Sequence, residues 1–207
     1  MPSWARMKRL LTLFAFFTTA ALAGEPAPLA PGLSPEVKPW QQNSIDLEVG
    51  YLWKVGGDTP LDYESAPVML SWRPAYMMHH VFEDGSAIVV RSRFAAIGQA
   101  ILQGPENHYF GFMAAPSLEY WDATGTWSVY GQLGGGLGWI DSQGVTGGQG
   151  QDLTYNWFAA AGVSYAVAEN VDLRLGAMFQ HLSNQGATDP NPGLNSLGVT
   201  LGVTWSF

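Results

Sequence analysis

The chain contains no cysteine. If exported, it has no disulfide staples and cannot be a lipoprotein anchored through a cysteine. Charge is scarce as well. Only 13% of the 207 residues are charged, and acidic residues outnumber basic ones 17 to 9. That balance argues against nucleic acid as a partner. No apolar run is long enough to cross a bilayer as a helix, so membrane residence of the mature chain has to come from strands. Glycine and tryptophan are the abundant residues, at 25 and 9. The pair suits a barrel with a crowded interior and aromatic girdles. The length accommodates one domain.

Arg6, Lys8 and Arg9 precede a short apolar stretch over residues 10–17, and Ala21-Leu22-Ala23 supplies a small-x-small cleavage pattern. Residues 1–23 are therefore expected to be a secretory signal peptide, removed after Ala23. Residues 24–43 carry Pro26, Pro28, Pro31, Pro35 and Pro39 and read as an extended, weakly ordered segment. Residues 44–207 form the folded domain.

From residue 44 onward the period is two. In the last segment Leu197, Val199, Leu201, Val203, Trp205 and Phe207 alternate with Gly198, Thr200, Gly202, Thr204 and Ser206. In a strand these sets face opposite sides. The second set is small, as the lumen of a narrow barrel requires. The terminal Phe207 resembles the aromatic signal that ends bacterial outer-membrane barrels. Similar alternation begins near Ile45, Val68, Ile88, Phe110, Trp127, Tyr155 and Val171. The expectation is an all-β chain, an eight-stranded antiparallel transmembrane β-barrel in the bacterial outer membrane.

The predicted lumen holds Asp46, Glu48, Glu119 and Asp172 with Arg91, Arg93 and Arg174, so opposite charges are expected to pair inside a filled barrel rather than line a pore. Short turns near Asp122 and Glu169 mark the periplasmic end, and longer stretches over 141–151 and 185–194 mark the outer end. The connection over 74–84 is long for a periplasmic turn, and the pattern offers no reason for it.

His181 and Ser183 sit where the seventh predicted strand meets an outer loop. Two residues apart, they project from one face and continue the lipid-facing series from Val171. Ten residues at about 3.3 Å each, tilted about 40°, climb roughly 25 Å, the height of the apolar band. The pair is thus expected at the outer-leaflet interface. An imidazole beside a serine hydroxyl can take its proton and make it a nucleophile. His-x-Ser alone is a common pattern, and two polar residues at a strand end explain it equally well.

The wider segment, His181-Leu182-Ser183-Asn184-Gln185-Gly186 followed by Pro190-Asn191-Pro192-Gly193, resembles the lipid A 3-O-deacylase family of PagL-type barrels. The detailed match covers about the last 30 residues. The resemblance implies a serine esterase that hydrolyses the ester-linked 3-O-acyl chain of lipid A, with lipopolysaccharide as substrate and outer-membrane lipid as surroundings. It implies Ser183 as nucleophile, His181 as base, and an oxyanion hole around Asn184 and Gly186, with no metal and no cofactor. The family's orienting acid falls on Asn195 here. An Asn can hold the imidazole tautomer but stabilises an imidazolium less well. Asp189, in the same loop, is an alternative partner.

Other candidates are weaker. His79 and His80 are adjacent, so an extended backbone points them to opposite sides, away from a shared metal. His108 reads as a strand-end interface residue. Gly162-Val163-Ser164-Tyr165-Ala166 lacks the final glycine of a nucleophile elbow. Gly134-Gly135-Gly136 lacks the Lys-Ser/Thr of a phosphate loop and reads as close packing. Three readings stay open: a lipid A esterase, a barrel of that family without turnover, and a barrel that transfers palmitoyl groups. The pattern also leaves a homodimer open.

Overall fold

In the computed structural model, residues 37–56 and 62–207 are described. The expected signal peptide and most of the Pro-rich segment lie outside them. The period-two pattern becomes nine strands: β1 (Ser44–Lys54), β2 (Glu64–Arg73), β3 (Met78–Val81), β4 (Ala87–Gln103), β5 (His108–Trp121), β6 (Trp127–Ile140), β7 (Leu153–Ala168), β8 (Val171–Ser183) and β9 (Leu194–Ser206). Each pairs antiparallel with its neighbours in the order β2-β1-β9-β8-β7-β6-β5-β4, and β2 also pairs with β4. The sheet therefore closes into an eight-stranded barrel, as expected from the sequence. Closure leaves no unpaired edge to face hydrocarbon.

The ninth strand accounts for the long 74–84 connection. β4 has 17 residues. Its C-terminal part pairs with β2, from Trp72 opposite Phe94 to Glu64 opposite Gln103. Its start pairs instead with β3, Met78 lying opposite Val90 and Val81 opposite Ala87. Pro74, with no N–H for the ladder, separates β2 from β3 along one lane. Four residues interrupted by histidines carry too little alternation to be read as a strand.

Outward positions are apolar around the whole wall. Phe112 and Leu133 are each 65% exposed and Phe110, Leu118, Leu175 and Val199 are similarly open. A belt of this extent is stable against lipid and not against water. Inward positions are polar yet buried. Arg73 bridges Asp46 at 3.0 Å and Glu119 at 2.9 Å. Glu48 receives Arg93 and, at 3.4 Å, Arg174, whose guanidinium lies 4.0 Å over the Tyr130 ring. Arg91 departs from the expected pairing. It donates to backbone carbonyls of Gln42, Arg73 and Pro74 at the lower rim. The glycine run packs as expected: a Cβ on Gly136 would fall on the carbonyl of Phe112.

The end of the Pro-rich segment is better ordered than its composition suggests. Residues Pro39–Gln41 form a 3-10 turn that buries Trp40. Its indole packs 5.6 Å from Trp121 at the lower mouth, and the Trp40 carbonyl accepts the N–H of Tyr76 at 3.0 Å. A single large apolar side chain thus fixes a stretch whose prolines, taken alone, favour extension.

Candidate active site

β8 carries His181 and Ser183 at outward positions of its upper end, half-buried and 8% exposed respectively. The registers decide their neighbours. On one side β9 places Asn195 opposite His181. On the other, β7 places Trp157 opposite His181 and Tyr155 opposite Ser183. The three sequence candidates His181, Ser183 and Asn195 therefore share the outward face, on two adjacent strands.

His181 Nδ1 lies 2.6 Å from Asn195 Oδ1. A carbonyl oxygen only accepts, so Nδ1 carries the proton and the Nε2 lone pair is left for another donor. Ser183 is two residues further along the same face, about 6.6 Å of strand rise. The indole of Trp157 sits 5.6 Å from the imidazole, with the planes 35° apart. Just before β9, Gly193 takes φ of 65°, and a Cβ there would come 3.3 Å from His181 Cε1. Glycine suits both the left-handed backbone and the close approach.

The 184–193 loop is built around Asn184, which is fully buried. Its side-chain amide donates to the carbonyls of Gln149 at 2.6 Å and Thr188 at 2.8 Å. Its Oδ1 accepts the Gly186 N–H at 2.8 Å, and its own backbone N–H donates to Asn191 Oδ1 at 2.9 Å. At the two positions expected around an oxyanion hole, Asn184 and Gly186, the backbone N–H groups are thus capped by side-chain amide oxygens, and the Asn184 amide braces the loop.

The brace continues outward. Gln149 N–H donates to Glu106 Oε1 at 3.1 Å, and Ser142 Oγ donates to the same oxygen at 2.8 Å. Burial pushes the Glu106 carboxyl above the usual carboxylate range, against the hydrogen bonds from Ser142 and Gln149. Asp141 accepts the backbone N–H groups of Asn107 and His108, each at 2.9 Å. Burial raises the Asp141 carboxyl, but these bonds outweigh it and take the group down to about 2. Three upper loops are joined in this way, and the 184–193 loop that follows Ser183 rests on the 141–152 loop.

The remaining candidates lie elsewhere. His79 and His80 are exposed on β3, in ring contact with Tyr76 and Phe82. His108 is 3.6 Å from Asp141 at the rim. Ser164 is buried in β7, facing inward. No group of three His, Asp or Glu among the described residues is arranged to hold a metal ion. Trp157 and Gln149 were not found from the sequence, and Asn191 and Gly193 were noted there only as part of the motif, with no role. Trp157 meets His181 through strand register, and Gln149 and Asn191 meet Asn184 through loop folding, which no local pattern encodes.

The family model described as lipid A 3-O-deacylase (PagL) matches residues 46–204. No match was found among curated proteins. Among solved structures the chain is similar to the outer membrane enzyme PagL, at 18% identity and a TM-score of 0.54, over 77% of this chain and 97% of that one. It is also similar to Neisserial surface protein A (NspA), at 16% identity and a TM-score of 0.51, over 80% of this chain and 97% of that one. At these identities the likeness shows a shared outer-membrane barrel fold.

Proposed function

This chain belongs to the lipid A 3-O-deacylase (PagL) family, and from that premise we propose that it removes the 3-O-acyl chain of lipid A through Ser183 and His181. The observation that carries the mechanism is the Nδ1–Oδ1 contact of 2.6 Å between His181 and Asn195. It fixes the tautomer in which Nε2 is the base, on the same outward face as the serine hydroxyl.

In the reaction, Ser183 Oγ attacks the ester carbonyl carbon and its proton passes to His181 Nε2. The carbonyl oxygen becomes an oxyanion. The Asn184 and Gly186 N–H groups meet it by exchanging their present partners, the amide oxygens of Asn191 and Asn184, for the substrate oxygen. Collapse expels the sugar 3-hydroxyl, which leaves with the proton from Nε2, and a fatty acyl ester remains on Ser183. Water, deprotonated by Nε2, then releases the fatty acid. The outward placement suits a substrate whose acyl chains lie in the outer leaflet beside the wall.

A second reading is a family barrel without turnover. Asn195 favours it, because an amide supplies no negative charge to the imidazolium. Mass spectrometry of lipid A from cells expressing the folded barrel tests the proposal. The expected result is loss of one hydroxyacyl chain with the wild type and none with Ser183→Ala. An unchanged lipid A profile with folded wild-type protein in the membrane counts for the second reading.

A further inference from the structure

The imidazole of His181 has a neutral oxygen at one edge, where a carboxylate would support positive charge. Among the described residues the histidine that faces a carboxylate is His108, 3.6 Å from Asp141 at the rim, not His181. Its other flank is covered. Register places Trp157 directly across from His181, with ring centroids 5.6 Å apart and planes inclined by 35°. Trp157 does not lean there freely: Phe179, one outward position below His181, packs 5.0 Å from it and holds it from beneath.

The negative face of an aromatic ring attracts a cation within about 6 Å of its centroid, and indole does so most strongly. The attraction grows where water is excluded, as at the edge of a lipid-facing wall. Neutral imidazole gains little from it. The gain appears when Nε2 takes the serine proton, which is when support raises the rate and not merely the affinity.

We propose that Trp157 is a positioning residue that holds His181 and, through its indole face, stabilises the imidazolium in place of the absent carboxylate. The inference rests on the Ser183–His181 reading above. It extends that reading to a side chain on a third strand, and it explains how an Asn can stand at position 195 without the acid's charge being wholly lost.

The test uses the full mature barrel, folded in detergent micelles, and measures the rate at which a long-chain alkyl fluorophosphonate modifies Ser183. That reaction also passes the serine proton to His181 but needs no lipid A. Trp157 is replaced by mono-, di- and trifluorotryptophan, which keep the shape while withdrawing the ring's charge, and by Phe and Leu. The expected result is a stepwise fall with fluorination, reaching about fivefold to thirtyfold. Trp157→Phe should fall between wild type and Trp157→Leu. A rate flat within about twofold across the fluorinated series overturns the proposal even if Trp157→Leu is slow, because packing alone would then explain the loss. Failure of the underlying reading shows separately: fluorophosphonate modifies Ser183 and the fluorine series falls, yet lipopolysaccharide in the same micelles loses no acyl chain. Absence of any modification of Ser183 in the wild type overturns the proposal outright.

Discussion

Asn195 is where this chain parts from a Ser-His-acid site, and its geometry makes the consequence calculable. The amide oxygen already holds the Nδ1 proton at 2.6 Å, so the tautomer is not at stake, only the charge. Asn195→Asp changes that charge with almost no change in shape. We expect kcat for release of fatty acid from lipopolysaccharide to rise about tenfold or more, because the larger penalty seen on removing a triad acid includes loss of the tautomer. Asn195→Leu removes the acceptor and should lower kcat by about 100-fold. Steady-state kinetics in mixed micelles read both. Parity alone put Ser183 and His181 on one face, whereas Asn195 and the roles of all three came only from the family resemblance. The neighbour Trp157 was not legible, because a cross-strand contact depends on the register of β7 against β8, which is set by turn length over the whole hairpin.

At the scale of the element, the 184–193 loop is held by its own residues around Asn184 and is tied to the 141–152 loop through Gln149 and Gln151. Gly150 has φ of 75°, and a Cβ there would lie 2.8 Å from the Pro190 carbonyl. Gly150→Ala is therefore strained in its backbone and pushes the two loops apart. We expect kcat to fall about tenfold, as misplacement of catalytic groups does, while heat-modifiable migration on gels shows the barrel intact. Glu106 makes the same brace sensitive to pH. Its folded-state carboxyl binds a proton more tightly than the unfolded chain does, so its contribution is present at low pH and is lost as pH rises through the raised value. Amide exchange across residues 141–152 should accelerate as pH rises beyond the trivial chemical dependence, and Glu106→Gln should abolish the excess. The strands themselves were legible because a lipid-facing wall enforces alternation at every second residue. β3 and the Trp40 turn were not, since each depends on a partner distant in sequence and neither repeats a period long enough to register.

For the whole molecule, the site depends on a wall that closes around a filled lumen. Of the inward charges read from the sequence, Glu48 meets Arg93 and Arg174, while Asp46 and Glu119 are both held by Arg73, which the pattern assigned no partner. Arg73→Ala removes the directly paired cation from two buried carboxylates and should destabilise the barrel by about 3–5 kcal/mol. Its urea midpoint for unfolding in lipid vesicles should fall accordingly, with kcat of the folded fraction unchanged because the lower lumen is remote from Ser183. Arg91, which serves backbone carbonyls, lies outside that ion-pair cluster. The fold was readable because the membrane imposes one rule on every strand. The chemistry was readable only where two residues of the same strand carry it.

Deacylation by the proposed route requires acylation of Ser183 by lipid A. Wild-type barrel mixed with lipopolysaccharide, quenched in acid within milliseconds to seconds and digested, should yield a peptide containing Ser183 that is heavier by one fatty acyl group. The adduct should be absent from His181→Ala and should accumulate faster in Asn195→Asp. Release of fatty acid by Ser183→Ala at the wild-type rate, with no adduct on any peptide, would contradict it.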